Sequence, residues 1–223
     1  MSYFLSLDCS LPSAEVSLLK SSEKSLKLLA HSRWTHKAFK SAHSDRLSSE
    51  IDRLFKKARV QLEDLNYIAV GAGPGRFTGV RTAITTAKAL SFSLKIPVYP
   101  VNSLKILAEE FYGKAPALFV SLYAFKNQIY FAEFYSKKEQ VFVLSFEQWQ
   151  KKIENLSQTL KQEKIICVSD IEKFYPLESH FNQRILFKKP KLSTVNLVKI
   201  VLREKMQAQN WLSLKADYLR SAL

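Results

Sequence analysis

The sequence predicts an α/β protein of two lobes, with mixed sheets flanked by helices. Three short runs of strand-like composition open the chain, and helix and strand patterns then alternate, which is typical of a mixed sheet covered by helices. A Gly-Lys-Ala-Pro break at 113–116 ends this pattern, and a second strand meander follows it. We expect an N-terminal lobe over 1–112, a smaller, divergent second lobe over 113–210, and a tail, 211–223, that packs back on the body.

The elements of the first lobe follow from local patterns. Ser44 and Asp45 are typical of a helix N-terminus, and Leu47, Ile51 and Leu54 belong to an apolar stripe at helical spacing after them. The predicted strands are 3–7, 15–19, 26–30, 67–70 and 97–101, and the predicted helices are 44–58, 80–95 and 104–111.

The second lobe is predicted in the same way. Its predicted strands are 117–123, 128–135, 140–144, 165–169 and 184–187, and its predicted helices are 146–153, 154–161 and 193–209. Both lobes begin with a meander, a weak pseudo-symmetry that indicates two related lobes. In the tail, Trp211, Leu214, Tyr218 and Leu219 are costly to expose, which favours a packed tail.

Composition indicates a globular protein with a full core. The 223 residues are 47% hydrophobic and 24% charged, and no apolar run approaches the ~18 residues of a membrane span. The N-terminus lacks a basic leader, so we expect no signal peptide. Cys9 and Cys167 build neither a disulfide framework nor a Cys-x-x-Cys metal site. We expect a cytoplasmic protein without a membrane partner.

The net charge of +14 favours anionic partners such as nucleic acid. The charge is uneven, since the windows 65–108 and 179–203 contain no Asp or Glu. A lysine-rich surface that keeps the protein in solution explains the same composition, and both interpretations stay open.

Four of the five glycines lie within nine residues, 71–79, between a predicted strand and a predicted helix. Glycine is preferred where the backbone takes a positive φ or approaches another group closely. We interpret the segment as a structural turn. Gly73 and Gly75 supply permissive dihedrals, Thr78 caps the helix, and Gly79 lets helix and strand approach.

The spacing of these glycines excludes two phosphate loops. In G-x-G-x-x-G the sixth position is occupied by Arg76 or Thr78, and no glycine precedes a Lys-Ser or Lys-Thr pair. Anion binding by backbone N–H groups at the helix start, near Arg76 and Arg81, stays open beside the structural interpretation.

Candidate catalytic and metal-ligating residues do not form a set. His31, His36 and His43 are spaced H-x4-H and H-x6-H, which does not place two imidazoles on one helical face. Asp8 ends the first predicted strand, where many phosphotransferases place a magnesium-binding acid, yet no glycine-rich turn follows it. A turn-capping role is the other interpretation of Asp8. We expect no metal and no cofactor.

The helix 80–95 has small side chains on several faces, among them Thr82, Ala83, Thr85 and Ala89. Small side chains let a second helix approach to near the lower end of the ~8–10 Å interaxial range. Packing against the protein's own sheet is one explanation. Contact with a partner, shared with the striped helix 44–58, explains small residues all round better.

The glycine segment and its flanks resemble the signature of the TsaB/YeaZ family. The run V-G-A-G-P-G-R-F-T-G-V-R at 70–81, continued by T-A-K-A-L at 86–90, is similar to that family's G-P-G-S-F-T-G-[LV]-R…T-A-K-[GA]-L. Shorter likenesses are L-D-C-S at 7–10, H-S-D at 43–45 and D-Y-L-R at 217–220. The resemblance is dense from about His43 to Leu107 and thin afterwards.

The resemblance implies the two-lobed actin-like, ribonuclease H-like (ASKHA) fold. It also implies a non-catalytic subunit that pairs with TsaD and, with the ATPase TsaE, supports N6-threonylcarbamoylation of adenosine 37 in tRNAs that read ANN codons. TsaD itself requires an H-x-x-x-H metal pair, which this chain lacks. The implied partners are a TsaD-like paralogue, a TsaE-like ATPase and, through the complex, tRNA. A homodimer of the free chain stays open.

Carried over by position, the pairing helices are 44–58 and 79–95. The predicted partner-interface residues are Leu47, Ile51, Leu54, Arg81, Ala83, Ile84, Ala87, Lys88 and Ser91. The predicted structural-loop residues are Gly73, Pro74, Gly75, Phe77, Thr78 and Gly79. The resemblance implies no catalytic, cofactor-binding or metal residue.

The chain departs from the family pattern at several positions. Arg76 replaces the usual Ser and Cys9 the usual Thr. The second-lobe motif D-A-R-x-x-E-V-Y reads Y-A-F-K-N-Q-I-Y at 123–130, which leaves its contribution open. A further hypothesis is that the basic surface contacts tRNA. Charge reversal at Arg76, Lys88 and Lys188 then weakens tRNA binding by the assembled complex, and unchanged binding removes the hypothesis.

A stand-alone phosphotransferase or ATPase of the same fold is the alternative function. It needs a phosphate loop after Asp8, a glycine pair in the second lobe and a catalytic acid, yet only Gly113 remains outside the glycine segment. Magnesium-dependent, micromolar ATP binding by the isolated chain favours this alternative. A basic RNA-binding module that acts alone is a third, weaker hypothesis.

Overall fold

The computed structural model describes residues 1–35, 43–124, 126–135, 138–160, 164–171 and 185–217, without the side chains of 43–45 and 138. The chain divides into two compact units. Unit 1 comprises Met1–Ile106 and Leu192–Asp217, and unit 2 comprises the described residues of Leu107–Lys191.

Each unit contains a five-stranded mixed sheet. The strands are β1 (Ser2–Asp8), β2 (Ser13–Ser21), β3 (Leu26–Thr35), β4 (Leu65–Gly73), β5 (Val98–Asn102), β6 (Ala117–Tyr123), β7 (Gln128–Tyr135), β8 (Lys138–Ser145), β9 (Ile165–Ser169) and β10 (Ile185–Lys188). The helices are α1 (His43–Ala58), α2 (Phe77–Leu94), α3 (Ser103–Ala108), α4 (Phe146–Thr159) and α5 (Thr194–Glu204), with 3₁₀ turns at Leu62–Asp64 and Glu109–Phe111. Within the described ranges, no helix is long and apolar enough to cross a membrane.

The two sheets have the same topology. The strand order is β3-β2-β1-β4-β5 in unit 1 and β8-β7-β6-β9-β10 in unit 2. Each sheet consists of an antiparallel three-stranded meander with two parallel strands added beside its first strand. The predicted α/β class with mixed sheets is therefore confirmed, and so is the pseudo-symmetry of the two halves.

The sheet of unit 1 is packed on both of its faces, as the side chains of its central strand β1 show. Leu5 and Leu7 belong to the apolar core that the sheet forms with α1 and α2. Because side chains alternate along a strand, Ser6 points to the opposite face. There α5 packs against β1 and β2, and the hydroxyls of Ser17 and Thr194 lie 2.7 Å apart. Helices thus cover both faces of this sheet.

Unit 2 has a core of its own. Phe119 and Phe131 of the sheet pack with Trp149 and Ile153 of α4. The indole N–H of Trp149 donates to Ser121 Oγ at 2.9 Å. A tryptophan needs such a partner when it is fully buried, so this bond fixes α4 on its sheet.

Helices α4 and α5 differ most from their predicted bounds. α4 is continuous where two helical stretches were predicted, and its N-terminus is capped by Ser145, whose side chain accepts the N–H of Gln148. α5 ends at Glu204, short of the predicted 209, because Lys205 takes the left-handed conformation with φ 50°. Residues 192–217 group with unit 1, whereas the sequence analysis placed α5 in the second lobe.

Glu15 explains why α5 belongs to unit 1. Its carboxylate is buried on β2 and accepts hydrogen bonds from the backbone N and the Oγ1 of Thr194, at 2.9 and 3.1 Å. Arg33, which lies opposite Glu15 on β3, donates through Nε at 2.7 Å. One buried acid therefore ties the first turn of α5 to two strands of the sheet.

The segment after α5 returns to the sheet edge of unit 1. Val98 and Gln209 exchange two backbone hydrogen bonds, at 2.8 and 2.7 Å. Leu214 is buried in the core, whereas Trp211 stays 39% exposed. Predicted features that lie outside the described residues are His36, Tyr218, Leu219 and most of the D-Y-L-R likeness.

Asp8, at the end of β1, is fully buried. Its Oδ1 accepts the N–H of Ser10 at 2.6 Å, which confirms the turn-capping interpretation. Its Oδ2 has no hydrogen-bond partner among the described residues. Burial raises the pKa of Asp8 to about 6, and the negative charge of Glu15 adds to the rise, while the hydrogen bonds from Ser10 oppose it.

The anchoring role of Glu15 predicts a large loss of stability. Glu15→Ala is expected to lower the free energy of unfolding by about 2–4 kcal/mol, because the Thr194 N–H and the Arg33 guanidinium lose their shared acceptor. Glu63→Ala removes an exposed carboxylate and is expected to change it by less than about 0.5 kcal/mol. Urea unfolding followed by circular dichroism measures both. Equal effects of the two substitutions would contradict the anchoring role.

The raised pKa of Asp8 predicts a pH dependence of stability. Between pH 3.8 and about 6 the folded chain holds a proton that the unfolded chain releases. The resulting stabilisation is therefore complete below pH 3.8 and is lost as the pH rises through 6, a loss of roughly 3 kcal/mol. Asp8→Asn is expected to remove this slope, measured by urea unfolding at a series of pH values between 4 and 7. If the free energies of unfolding of the two proteins change in parallel with pH, the predicted role of Asp8 is wrong.

Candidate functional site: the glycine loop, α1 and α2

The loop at 71–79 leaves the end of β4 and enters α2. Gly73 has a φ of +100°, which residues with a Cβ rarely adopt, and its peptide bond to Pro74 is cis. The N–H of Gly73 donates to Ser103 Oγ at 3.2 Å. The permissive dihedral predicted at Gly73 is confirmed. Gly75 has no positive φ, so the same prediction for Gly75 is wrong.

Gly75 and Gly79 lie against the backbone that follows β1. A Cβ at position 75 would lie 2.5 Å from the carbonyl oxygen of Ser10, and one at position 79 would lie 1.9 Å from that of Cys9. The N–H of Arg76 donates to the Ser10 carbonyl at 2.7 Å, which occupies one donor of the anion-binding alternative. The predicted close approach at Gly79 is confirmed, and it seats the first turn of α2 on the end of β1.

The predicted cap at Thr78 is wrong. α2 begins at Phe77, and Arg76 holds the N-cap position without a side-chain hydrogen bond to the helix. Thr78 is exposed, and its carbonyl accepts the Oγ1–H of Thr82 at 2.9 Å. The glycine contacts and the bond from Arg76 to Ser10 therefore fix the helix start in place of a side-chain cap.

Most predicted interface residues lie in the core of unit 1. The buried ones are Leu47, Ile51 and Leu54 of α1 and Ala83, Ile84, Ala87 and Ser91 of α2. The six apolar ones join the cluster beneath the sheet, and the hydroxyl of Ser91 donates to the carbonyl of Ile96 at 2.5 Å. The structure corrects the prediction for these seven residues, because no side chain of theirs is available to a partner. Arg81 is exposed and Lys88 is half-buried.

The outward face of α2 is what remains for a partner. Phe77 and Phe92, at its two ends, are 56% and 63% exposed. Arg81, Thr85 and Ala89 are exposed between them. Neighbours in this series are three or four positions apart and therefore form one row along the helix, which we name the outward stripe. The Arg81 guanidinium lies 5.0 Å from the ring centroid of Phe77.

The sequence indicated Arg81 and the small residues Thr85 and Ala89 as partner contacts, but Phe77 and Phe92 were missed because the inward apolar row is more regular. Val80, Ala83 and Ala87 repeat at helical spacing and are buried against the sheet. Phe77 and Phe92 do not share the helical spacing of that row. This difference in spacing is the feature of the sequence that could have revealed them. Two large aromatic residues on the face opposite a small apolar row indicate a second contact surface.

The outward side of α1, which packs beside α2, is charged. Asp52, Arg53 and Lys56 are exposed, and Lys56 Nζ lies 2.7 Å from Asp52 Oδ2. Glu50 on the inward side is buried and accepts the hydroxyl of Ser32 at 2.7 Å. The two helices therefore offer different chemistry outward, aromatic and small on α2 and charged on α1.

The described residues bring no reactive set together. Cys9 and Cys167 are buried. Burial raises the pKa of the Cys9 thiol and raises that of Cys167 to about 12, so both are protonated at neutral pH. His31 Nε2 lies 3.4 Å from Oε1 of the buried Glu15. Within the described ranges, no three His, Cys, Asp or Glu side chains are grouped to hold a metal ion.

Curated relatives carry one functional name. The proteins named tRNA threonylcarbamoyladenosine biosynthesis protein TsaB include that of Buchnera aphidicola subsp. Schizaphis graminum, 38% identical over 42% of this chain and 46% of its own length. That of Haemophilus influenzae is 28% identical over 67% of this chain and 61% of its own length. The chain thus spans about half the length of the curated relatives it matches.

Solved structures resemble the whole chain. An uncharacterised protein with similarity to peptidase YEAZ from Pseudomonas aeruginosa has a TM-score of 0.77 at 22% identity, covering 99% of this chain and 100% of that one. YeaZ from Pseudomonas aeruginosa has a TM-score of 0.73 at 23% identity, over 98% and 100%. This likeness confirms the expected actin-like, ribonuclease H-like fold.

A family model also matches the chain. The model described as TsaD: tRNA N6-adenosine threonylcarbamoyltransferase covers residues 33–208, which is more than half of the chain. The glycine loop, α1 and α2 all lie inside that match. The chain therefore belongs to the family that this model describes, and its relatives within it are the TsaB, or YeaZ, proteins.

Proposed function

We propose that this protein is a non-catalytic subunit of the machinery that makes N6-threonylcarbamoyladenosine at position 37 of tRNAs that read ANN codons. The family model names the threonylcarbamoyltransferase reaction, and the curated relatives are named for tRNA threonylcarbamoyladenosine biosynthesis. In this proposal the chain acts in the cytoplasm as the scaffold and activator of a TsaD-type enzyme, together with a TsaE-type ATPase.

The outward stripe of α2 is the observation that carries the proposal. It places two exposed rings, Phe77 and Phe92, at the ends of a helix face and keeps Thr85 and Ala89 small between them. Small side chains let a partner helix come close, and exposed aromatic residues are the side chains that anchor protein interfaces. The inner face of α2 is already buried, so this arrangement suits a helix that docks on a second protein.

The burial of Asp8 at the end of β1 supports the proposal that the subunit is non-catalytic. The carboxyl group of Asp8 is fully buried, and a Cβ at Gly71 would lie 2.1 Å from its Oδ2. A phosphotransferase acid in this place must reach a solvent-accessible metal. The chain also has four histidines without an H-x-x-x-H pair. In the proposal, the TsaD-type partner therefore supplies the metal chemistry.

Thr85→Arg tests the docking face. The long, charged side chain is expected to separate the helices and to reduce co-purification with the TsaD-type subunit of the same organism at least tenfold. Thermal unfolding is expected to stay unchanged, because Thr85 is exposed and arginine is a good helix former. Loss of the modification in cells that carry only the variant, measured by nucleoside mass spectrometry, is the functional readout.

Thr35→Arg is the matched control, since it makes the same change at an exposed position of β3. It is expected to leave co-purification intact. Undiminished binding of the Thr85→Arg protein, or equal loss in both variants, would remove the outward stripe as the docking face.

ATP binding separates the proposal from the stand-alone phosphotransferase. The isolated chain is expected to show no magnesium-dependent, micromolar ATP binding in calorimetry, because the buried Asp8 offers no ligand to a hydrated metal ion. A saturable, magnesium-dependent heat that disappears in Asp8→Asn would favour the enzyme instead.

A further inference from the structure

A groove of about 530 Å³ lies beside the C-terminal end of α2, within unit 1. One wall is formed by Ser91, Phe92 and Lys95, and the other by the segment after α5, with Gln209, Asn210 and Trp211. Its volume lies in the range of small-ligand sites. The end of β1 does not account for this groove, and the proposed docking face shares only Phe92 with it.

Trp211 is held in place although it is exposed. Before it, Gln209 makes two backbone hydrogen bonds with Val98. After it, the side chain of Asn210 accepts the N–H groups of Leu212 and Ser213, at 3.0 and 2.9 Å. The bonds on both sides fix the backbone that carries the ring, and yet 39% of Trp211 stays exposed. Binding costs less when the contacting side chain is ordered beforehand.

Trp211 and Phe92, one from each wall of the groove, are in contact. Their ring centroids are 5.0 Å apart with the planes at 77°, an edge-to-face pair. Phe92 is 63% exposed, so each ring still presents surface to the groove. A flat, aromatic ligand that stacks on one of these two rings meets the other at its edge.

The groove is positively charged. Lys95 is the charged residue among those that line it. Its backbone holds a left-handed C-cap of α2, with φ 54°, and its side chain is exposed. The two chain segments that form the walls belong to windows without Asp or Glu, 65–108 and 205–216. Aromatic rings beside a lysine, without acids nearby in the chain, are the features of sites that bind single-stranded nucleic acid.

We infer that this groove binds an unpaired nucleotide of an RNA strand, whose base stacks on Trp211 and meets Phe92 at its edge, and whose phosphate lies beside Lys95. The side-chain amide of Gln209 offers a donor and an acceptor to the base edge. The open, two-walled shape admits a nucleotide that continues into a strand on either side. The choice of RNA over DNA rests on the proposed function, whereas the groove, its rings and its charge do not.

Tryptophan fluorescence tests the site directly. Trp34 and Trp149 are buried, 6% and 0% exposed, so Trp211 is the tryptophan that a base in solution reaches. Titration of the purified full chain with a single-stranded RNA heptamer is expected to quench its fluorescence saturably. The same titration with AMP shows whether a free nucleotide binds as tightly as an RNA strand. AMP binding as tight as that of the heptamer would overturn the assignment to an RNA strand.

The RNA affinity of each variant is measured by the fluorescence anisotropy of a labelled RNA heptamer. Trp211→Ala is expected to weaken binding at least about fivefold, and Trp211→Phe to restore it to within about twofold, because the stacking surface returns. Lys95→Gln is expected to lower the slope of log affinity against log salt by about 0.7, the value for one phosphate contact on a single strand. The controls are Tyr112→Ala, an exposed ring in unit 2, and Lys27→Gln, an exposed charge on β3.

The outcomes separate this site from the proposed function. RNA binding without quenching, equal affinities of Trp211→Ala and Tyr112→Ala, or no RNA binding at all overturns the groove assignment. Co-purification of Trp211→Ala with the TsaD-type subunit is expected to be undiminished, because Trp211 lies outside the outward stripe. A failed Thr85→Arg test would leave the RNA titration of the isolated chain unaffected.

Discussion

The close backbone approach between the glycine loop and the end of β1 is the constraint on which unit 1 depends. Gly79 and Gly75 bring their α-carbons against the carbonyl groups of Cys9 and Ser10, closer than any side chain allows. The bond from the Arg76 N–H to Ser10 completes the contact. Since α2 follows directly, its position and the direction of both its faces are fixed by a contact between two pieces of main chain.

This contact gives α2 two surfaces with different surroundings, one against the sheet and one exposed. Ala83 and Ala87 face the sheet and are small because the helix lies close to β1 and β4. Thr85 and Ala89 face outward and are small without any such need within the chain. Small residues on the inner face follow from the glycine contact, so only those on the outer face indicate a partner.

The fold followed from the sequence where hydrophobic periodicity decides it. Strand alternation and helical stripes located every strand and α-helix, although α4 was predicted as two stretches, and 71–79 was recognised as a close-approach turn. Several of the failures come from long-range or unusual backbone geometry. Lys95 and Lys205 end helices in the left-handed conformation with no glycine as a signal. The bond from Thr194 to Glu15 joins residues 179 positions apart, so nothing local placed α5 in unit 1.

The glycine contact also bears on the absence of chemistry in the proposed function. The residues that receive α2, Cys9 and Ser10, directly follow Asp8, and the same loop lays Gly71 over the Asp8 carboxyl group. Opening a path from Asp8 to solvent therefore means lifting the loop from the end of β1. That movement would break the contact that holds the first turn of α2 and would displace the outward stripe. In the proposed function, the closed loop therefore favours a docking helix over a reactive acid at the end of β1. The same burial raises the pKa of Asp8, so protonation of Asp8 stabilises the fold.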